Sequence, residues 1–383
     1  MLQTKAYKFR MYPTKEQEIL VNKTFGCAGY IYNHFLNIKQ VQYKETKKSM
    51  SAFECCNELK ELTKEYEWLK EVDSCALRNA IFNLEDAFLR MYKKQNEYPN
   101  FKNKFNKQSY RTNNNKSSYN GKEYQSIKLD LINRTITLPK LKEITIRGYR
   151  NITSIHGEVI NATISKEKDG KYYVSVVVRE LIEVKNIEKQ EIVGLDLGIK
   201  DLVVTSDNER YENPKVMNKY EKRLKRLQRE LSKKEKGSAN YNKCRIKIAT
   251  VHRKIRNSRK YYLHKITKEL TDTKSIIITE TLKVKDMVKK SHLAKAIHDA
   301  SWSELIRQLE YKVKQKGKRF YQISTYYPSS QECSRCGYIE KRVKDLKIRN
   351  WECPECSDYH ERDYNASVNI MFEGLKKYML EFI

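Results

Sequence analysis

The sequence predicts a multidomain α+β protein, and three observations predict it. Apolar positions recur at helical spacing over the first hundred residues, alternate with a period of two between 126 and 180, and then mix both habits to the end. At 383 residues the chain is long enough for roughly two to three domains. Two Cys-x-x-Cys pairs near the C-terminus mark a small fold stapled by metal rather than by an apolar core.

The first element is a short strand, Lys5 to Met11. Behind Pro13, Thr14 and Gln17 have the spacing of a capping box that opens a helix. Its apolar stripe runs through Cys27, Ile31, Phe35 and Ile38. A second helix carries Leu59, Leu62, Tyr66 and Leu69, and a third, from about Ser74, carries Leu77, Ile81, Leu84, Phe88 and Met91. Pro99 closes this block, and the stripes are read as core. Residues 101–125 are rich in Asn, Lys and aromatics and poor in aliphatics, so they read as a loop. Basic residues interleaved with Phe and Tyr suit contact with phosphates and bases, and a solvated loop explains the composition equally well.

Strands are then expected at Ile127–Leu131, Thr135–Leu138, Thr145–Arg147, Asn161–Ser165 and Tyr172–Val178, with Asp169-Gly170 as a hairpin turn. Five short strands over so little chain point to a small β-barrel. IVGLDLGIKDLVVTSD follows, two strands around Gly198. Two basic helices come next, Pro214–Glu235 and Ser238–Thr271, with a seam at Cys244, Ile248, Val251 and Ile255 that continues through Tyr262, Ile266 and Leu270. A strand at Ser275–Thr279, a helix at Ser291–Lys316, a strand at Phe320–Ser324 and a last helix at Tyr364–Leu380 complete the chain, with the cysteine region before that last helix.

Charge narrows the function classes. Lys and Arg number 77 against 48 Asp and Glu, a net +29, and such an excess calls for a polyanion, usually nucleic acid. Residues 213–270 alone hold 20 Lys and Arg against 4 Asp and Glu, more than half of the excess. Lys222, Arg223, Arg226, Arg229, Arg253 and Arg256 are the nucleic-acid-binding candidates on this hairpin. An abundance of Tyr and Phe argues against wholesale disorder. No apolar run approaches the ~20 residues of a membrane span. The first residues lack an apolar signal core, so secretion is not expected. The nine cysteines are an odd number, and five (Cys27, Cys55, Cys56, Cys75, Cys244) are scattered, which fits a reducing cytoplasm better than a disulfide framework.

Cys333, Cys336, Cys353 and Cys356 have the spacing of a four-thiolate zinc site. Such a closed site is structural and leaves no position for substrate. The catalytic candidates are carboxylates. Asp196 lies within the apolar strand Ile192–Leu197, where an unpaired charge is costly, and Glu280 ends the apolar run Ile276–Thr279. Asp363 stands at the start of the last helix. Convergence of the three would make a site for two Mg²⁺ ions, which activate water and stabilise the leaving oxygen in phosphodiester cleavage.

Several blocks in order, GLDLGIKDLVV, IIITETLKVKDM, HLAKAIHDASWSELIRQLEYK, YYPSSQECSRCG, CPEC and HERDYNASVNI, resemble the TnpB (OrfB) proteins of bacterial insertion sequences, relatives of type V CRISPR effectors. YKFRMYPTKEQ and TFGCAGYIYNHFL resemble that family's start. The likeness is dense over 1–37 and 192–372 and thin over 38–190. It implies an RNase H-like (RuvC) α/β nuclease domain at 189–383, containing the basic hairpin 213–271 and an inserted zinc ribbon, 326–360. It also implies a wedge β-barrel whose first strand is 1–11 and whose remainder is 126–188, interrupted by a helical recognition domain over 12–125.

By the same resemblance Asp196, Glu280 and Asp363 are the catalytic, Mg²⁺-holding carboxylates, the four cysteines hold Zn²⁺, and Arg362 faces substrate phosphate. Relatives commonly carry Asp after the second catalytic Glu, where this chain has Thr281. The expected activity is RNA-guided, metal-dependent cleavage of DNA beside a short motif. The expected partners are a guide RNA from the element's end and target double-stranded DNA, with no membrane, and the chain is expected to be a cytoplasmic monomer. A nucleic-acid-binding regulator without cleavage fits the charge and the zinc equally well, and a transposase or accessory factor is the third reading.

Overall fold

Pro13 cannot donate to a ladder, so β1 (Leu2–Tyr12) ends there and Thr14 opens a helix. In the computed structural model, which describes residues 2–119, 122–148, 155, 157–181, 191–290 and 293–380, the Thr14–Gln17 capping box is formed in both directions. It starts α1 (Lys15–Thr46), a single helix of 32 residues. A second capping box, Ser51 with Glu54, starts α2 (Ala52–Glu65), and the Asp73 side chain caps α3 (Ser74–Tyr92). Ile31, Phe35, Leu36, Leu77, Ile81 and Leu84 are buried in one core with the inner faces of a sheet.

The chain divides into two compact units, Met1–Ile182 and Glu183–Ile383. In the first, the strands are β2 (Gln108–Asn113), β3 (Lys116–Tyr119), β4 (Lys122–Gln125), β5 (Lys128–Asp130), β6 (Thr135–Leu138), β7 (Lys142–Arg147), β8 (Glu158–Lys166) and β9 (Tyr172–Leu181). Seven of the unit's strands form an antiparallel sheet in the order β2-β8-β9-β1-β7-β6-β5. β1 therefore sits at its centre, flanked by strands more than a hundred residues away. The Asp169-Gly170 turn joins β8 to β9, with Gly170 at φ 82°.

Residues 101–125 are not simply a loop. β2 pairs with β8 and buries Tyr110 and Thr112, while β3 and β4 form their own hairpin. Ser109, Arg111 and Asn113 on the outward positions of β2 mask its alternation. Asn114 and Asn115, just past β2, hydrogen-bond to Ile127 and Ser126, just before β5. The sheet's outer edges thus meet at one end, although among the described residues no ladder joins β2 to β5.

The second unit is built on a mixed five-stranded sheet. Its strands are β10 (Ile192–Asp196), β11 (Asp201–Thr205), β12 (Arg210–Glu212), β13 (Ile276–Thr279) and β14 (Arg319–Gln322), in the order β12-β11-β10-β13-β14. β10, β13 and β14 run parallel, and β11 and β12 are antiparallel additions at the β10 edge. Between β12 and β13 lie the basic helices α4 (Val216–Ser232) and α5 (Ala239–Thr273). Between β13 and β14 lie α6 (Val284–Lys290), α7 (Ala294–Ala300) and α8 (Trp302–Gln315). β15 (Asn350–Glu352) and β16 (Tyr359–Glu361) make a hairpin that runs straight into α9 (Arg362–Leu380).

Strand alternation assigns the sheet's two faces. Val193, Leu195 and Ile277 pack with Leu263, Ile266, Leu305 and Leu309 of α5 and α8, whereas Ile276 and Ile278 pack with Ile370 of α9. Helices therefore cover both sides of the sheet. The helix expected over 291–316 is broken: Ser301 takes a left-handed conformation, φ 55°, between α7 and α8. The break turns Asp299 toward α4 and lets Trp302 enter the core and donate to the Gly198 carbonyl. Ser291, expected to open that helix, and the expected domain boundary at 188/189 lie outside the described residues. Among the described residues no helix is long and apolar enough to cross a membrane.

Candidate active site and metal centre

Two parallel strands deliver the first two carboxylates. Leu195 is level with Thr279 in the β10–β13 ladder, so Asp196 and Glu280 leave the sheet side by side at the same end. The Leu197 amide donates to Glu280 Oε1 at 3.4 Å, tying the backbone beside Asp196 to the Glu280 side chain. Asp363, second residue of α9, is the third member, because α9 packs across β10. That packing requires Gly194. A Cβ there would lie 2.1 Å from the Ser367 carbonyl and 2.6 Å from the Met371 nitrogen.

The electrostatics of the three are coupled. Asp196 is pushed well above the usual carboxylate range, first by burial and then by the charges of Glu280 and Asp363, with Arg362 and Arg349 opposing. Glu280 is pushed up to about 7 by burial, opposed by the Leu197 amide and by Arg362. Clustered carboxylates that resist ionisation have the chemistry of a hard-cation site. The Arg362 charge acts on both Asp196 and Glu280, and its Nε is buried without a hydrogen-bond partner among the described residues.

Thr281 donates its hydroxyl to the Ile323 carbonyl at 2.7 Å. It braces the backbone just after β14.

Sequence reasoning missed Arg349. Its Nη1 lies 3.2 and 3.3 Å from the two Asp363 oxygens, and its carbonyl accepts from the Arg362 amide at 2.8 Å. A lone Arg in a basic, polar stretch gave no signal. Two asparagines of the NASVN run were also missed. Buried Asn365 and Asn369 both donate to the Glu332 carbonyl, and Asn369 also to that of Ser329, fastening the cysteine region to α9.

The four cysteines do converge. Their sulfurs all lie within 4.8 Å of one another, and among the described residues this is the one such gathering of three or more potential metal ligands. The carboxylates are neighbours without being drawn that tightly. Cys333–Cys356 and Cys336–Cys353 sulfur separations are both 3.6 Å, near the edge of a tetrahedron with ~2.3 Å Zn–S bonds. Each knuckle turns through a left-handed residue just after its second cysteine, Gly337 at φ 80° and Ser357 at φ 56°. All nine cysteines are free thiols, so no disulfide competes for these sulfurs. The donor set fits Zn²⁺ in a closed, structural role.

On the basic hairpin, Leu224 and Leu227 of α4 close on Val251 and Ile255 of α5. Lys222, Arg223, Arg226, Arg229 and Arg256 are exposed around that seam, and Arg253 is half-buried. The start of α4 has no cap of its own. Asp299 supplies one, accepting from the Met217 amide at 2.9 Å and from Arg259 Nε of α5 at 2.7 Å.

Comparison with known proteins identifies the family. Residues 173–291 match the OrfB_IS605 family, described as "Probable transposase", and 302–370 match the "Cas12f1-like, TNB domain". Residues 1–48 match a family described as a helix-turn-helix domain, although here they form one strand and one long helix. A solved Cas12f1 complex with sgRNA and target DNA superposes with a TM-score of 0.59 at 13% identity, covering 97% of this chain and 98% of that one, which shows a shared fold. A protein of Streptomyces pristinaespiralis, an RNA-guided DNA endonuclease by name, is 34% identical over 97% of this chain and 89% of its own length. InsQ of Escherichia coli (strain K12), named for the same activity, is 30% identical over 98% and 93%. A TnpB-like protein, L79, of Acanthamoeba polyphaga mimivirus is 24% identical over 96% and 73%. With near full-length matches at these identities added to the ordered motifs, the chain belongs to the TnpB (OrfB) family of insertion-sequence-encoded RNA-guided nucleases, relatives of the type V CRISPR effectors.

Proposed function

We propose that this protein is an RNA-guided, Mg²⁺-dependent DNA endonuclease in which Asp196, Glu280 and Asp363 form the cutting site. The observation that carries this is geometric: β10 and β13 deliver Asp196 and Glu280 side by side, and α9, packed on β10, brings Asp363 near enough for its charge to act on Asp196. The sheet order β12-β11-β10-β13-β14 supports an RNase H-like (RuvC) reading of the second unit. In the first unit, the central place of β1 among later strands supports a wedge interrupted by the helical recognition domain α1–α3. The guide RNA comes from the element's end, and base pairing with it supplies sequence choice. The protein reads a short motif beside the target and works as a single cytoplasmic chain.

When bound, Mg²⁺ would supply water activation and stabilise the leaving oxygen. The chain's own residues do the positioning. Asp196 and Glu280 would hold the cation from the sheet, and Asp363 would approach from α9 with Arg349 orienting it. Arg362, next to Asp363 in the chain and with a guanidinium whose charge acts on the carboxylates, would meet a substrate phosphate. Lys222, Arg223, Arg226, Arg229, Arg253 and Arg256 would line the path of the nucleic-acid backbone.

Purified protein should carry a discrete RNA and cut DNA matched to it with Mg²⁺ but not with EDTA. An Asp196→Ala variant should lose more than about a hundredfold in rate, since even an outer partner of a metal ligand acts on that scale. Unimpaired cutting by that variant would remove the catalytic assignment. Binding without cutting under all divalent conditions would favour the regulator, and strand joining by protein and donor DNA alone would favour a transposase.

A further inference from the structure

His360 lies on β16, directly opposite Trp351 of β15, and both side chains are buried. The two rings stand 4.8 Å apart, so packing fixes the imidazole plane. Its Nε2 is 3.0 Å from the sulfur of Cys333. Cys333 belongs to the first knuckle, whereas His360 belongs to the hairpin that grows from the second. A thiolate bound to a metal has no proton and can only accept, so a close nitrogen at this distance must be the donor. The Asp358 carboxylate lies near the same nitrogen, at 3.6 Å, beyond hydrogen-bonding reach.

We propose that His360 is a positioning residue of the metal centre, donating Nε2–H to the Cys333 thiolate and thereby locking the first knuckle to the strand that delivers Asp363. The consequence follows from chain connectivity. Two residues, Glu361 and Arg362, separate His360 from Asp363, Arg362 follows β16 directly, and its amide is held by the carbonyl of Arg349 just before β15. A knuckle fixed through His360 therefore fixes the backbone from which Arg349 and Asp363 meet. The bond also withdraws charge from one of four clustered thiolates, which favours keeping all four deprotonated around one dication.

The test uses full-length protein loaded with cobalt in place of zinc. A hydrogen bond lowers the energy of the sulfur lone pair, so charge transfer from sulfur to Co²⁺ needs more energy while the bond exists. His360→Phe keeps a ring against Trp351 but has no donor. It should shift the charge-transfer band to the red and release zinc to a chelator at least about tenfold faster. His360→Gln, which keeps an N–H donor, should restore most of both properties. A folded His360→Phe protein with wild-type band and release rate overturns the proposal, and so does a Gln variant no better than Phe. Should the Phe variant not fold, ¹¹³Cd-loaded wild-type protein decides. Scalar coupling between the metal and the His360 Nε2 proton is expected, and its absence overturns the assignment. None of these readouts depends on DNA cleavage, so failure here is distinguishable from failure of the nuclease reading.

Discussion

Glu280 carries a measurable signature of the site even when nothing is cut. Burial holds its carboxyl at about 7, and Asp196 is shifted in the same direction. Between the ordinary carboxylate range and pH 7 the folded chain therefore binds more protons than the unfolded one. Stability consequently falls as pH rises through that window, the reverse of the usual salt-bridged acid. A divalent cation held, as proposed, by the ionised folded form would offset the fall. In EDTA the melting temperature should drop between about pH 4.5 and about pH 7. Mg²⁺ should flatten the profile, and Glu280→Gln should make it shallower without metal, leaving the part that Asp196 contributes. Scanning calorimetry across that range checks this, and a metal-free profile level from pH 4.5 to 7 would show that Glu280 and Asp196 are not buried as carboxyls in the folded chain.

At the scale of elements, the position of α9 decides whether Asp363 reaches its partners, and Gly194 decides the position of α9. Nothing larger than hydrogen fits between β10 and the Ser367 carbonyl. Gly194→Ala should displace α9 and cost about 1–3 kcal/mol, as overpacking of a close contact does. A fall in melting temperature accompanied by loss of cutting, with guide RNA retained, is the expected result. An alanine variant with wild-type stability and rate would mean that the helix does not pack this closely. Much of this architecture was legible in the sequence for a plain reason. A carboxylate in an apolar strand is a physical oddity, so Asp196 and Glu280 announced themselves. Thr14 and Gln17 did so through the spacing of their caps. Arg349, Asn365, Asn369 and His360 did not, because a polar residue in a polar stretch looks solvated until the fold buries it. β2 escaped for the related reason that only Tyr110 and Thr112 mark its inner face. The break at Ser301 was hidden because the apolar period runs through it, from Ile297 to Leu305, and only tertiary contacts of Asp299 and Trp302 reveal it.

For the whole molecule, the net +29 must be divided between charges that hold the fold and charges that face a ligand. Lys312, Lys316 and Lys318 belong to the first kind. Lys312 donates to Thr267 and the His264 carbonyl, Lys316 to Thr271 and Asp272, and Lys318 to the Thr271 and Asp272 carbonyls, so all three bind the α8 end to α5. On α4, Lys222, Arg223 and Arg229 make no ion pair among the described residues, and Arg226 has only Glu230, at 3.6 Å, on an exposed face. Surface pairs of that type contribute little, so all four charges remain available to a polyanion. The seam of Leu224, Leu227, Val251 and Ile255 is a small core to hold two helices of like charge together. Bound nucleic acid would relieve that repulsion. Replacing the four α4 residues with Gln should therefore lower the slope of log affinity against log salt by about three, given a slope of about 0.7–0.9 per phosphate neutralised. The unliganded protein should become more stable at low salt, because the two helices then repel less. Replacing Lys316 and Lys318 should do the opposite, lowering the melting temperature while leaving the salt slope in place. Filter binding over a salt series, paired with thermal melts of the RNA-free protein, separates the two classes. Equal slopes for the α4 variant and the wild type would return that helix to a merely solvated face.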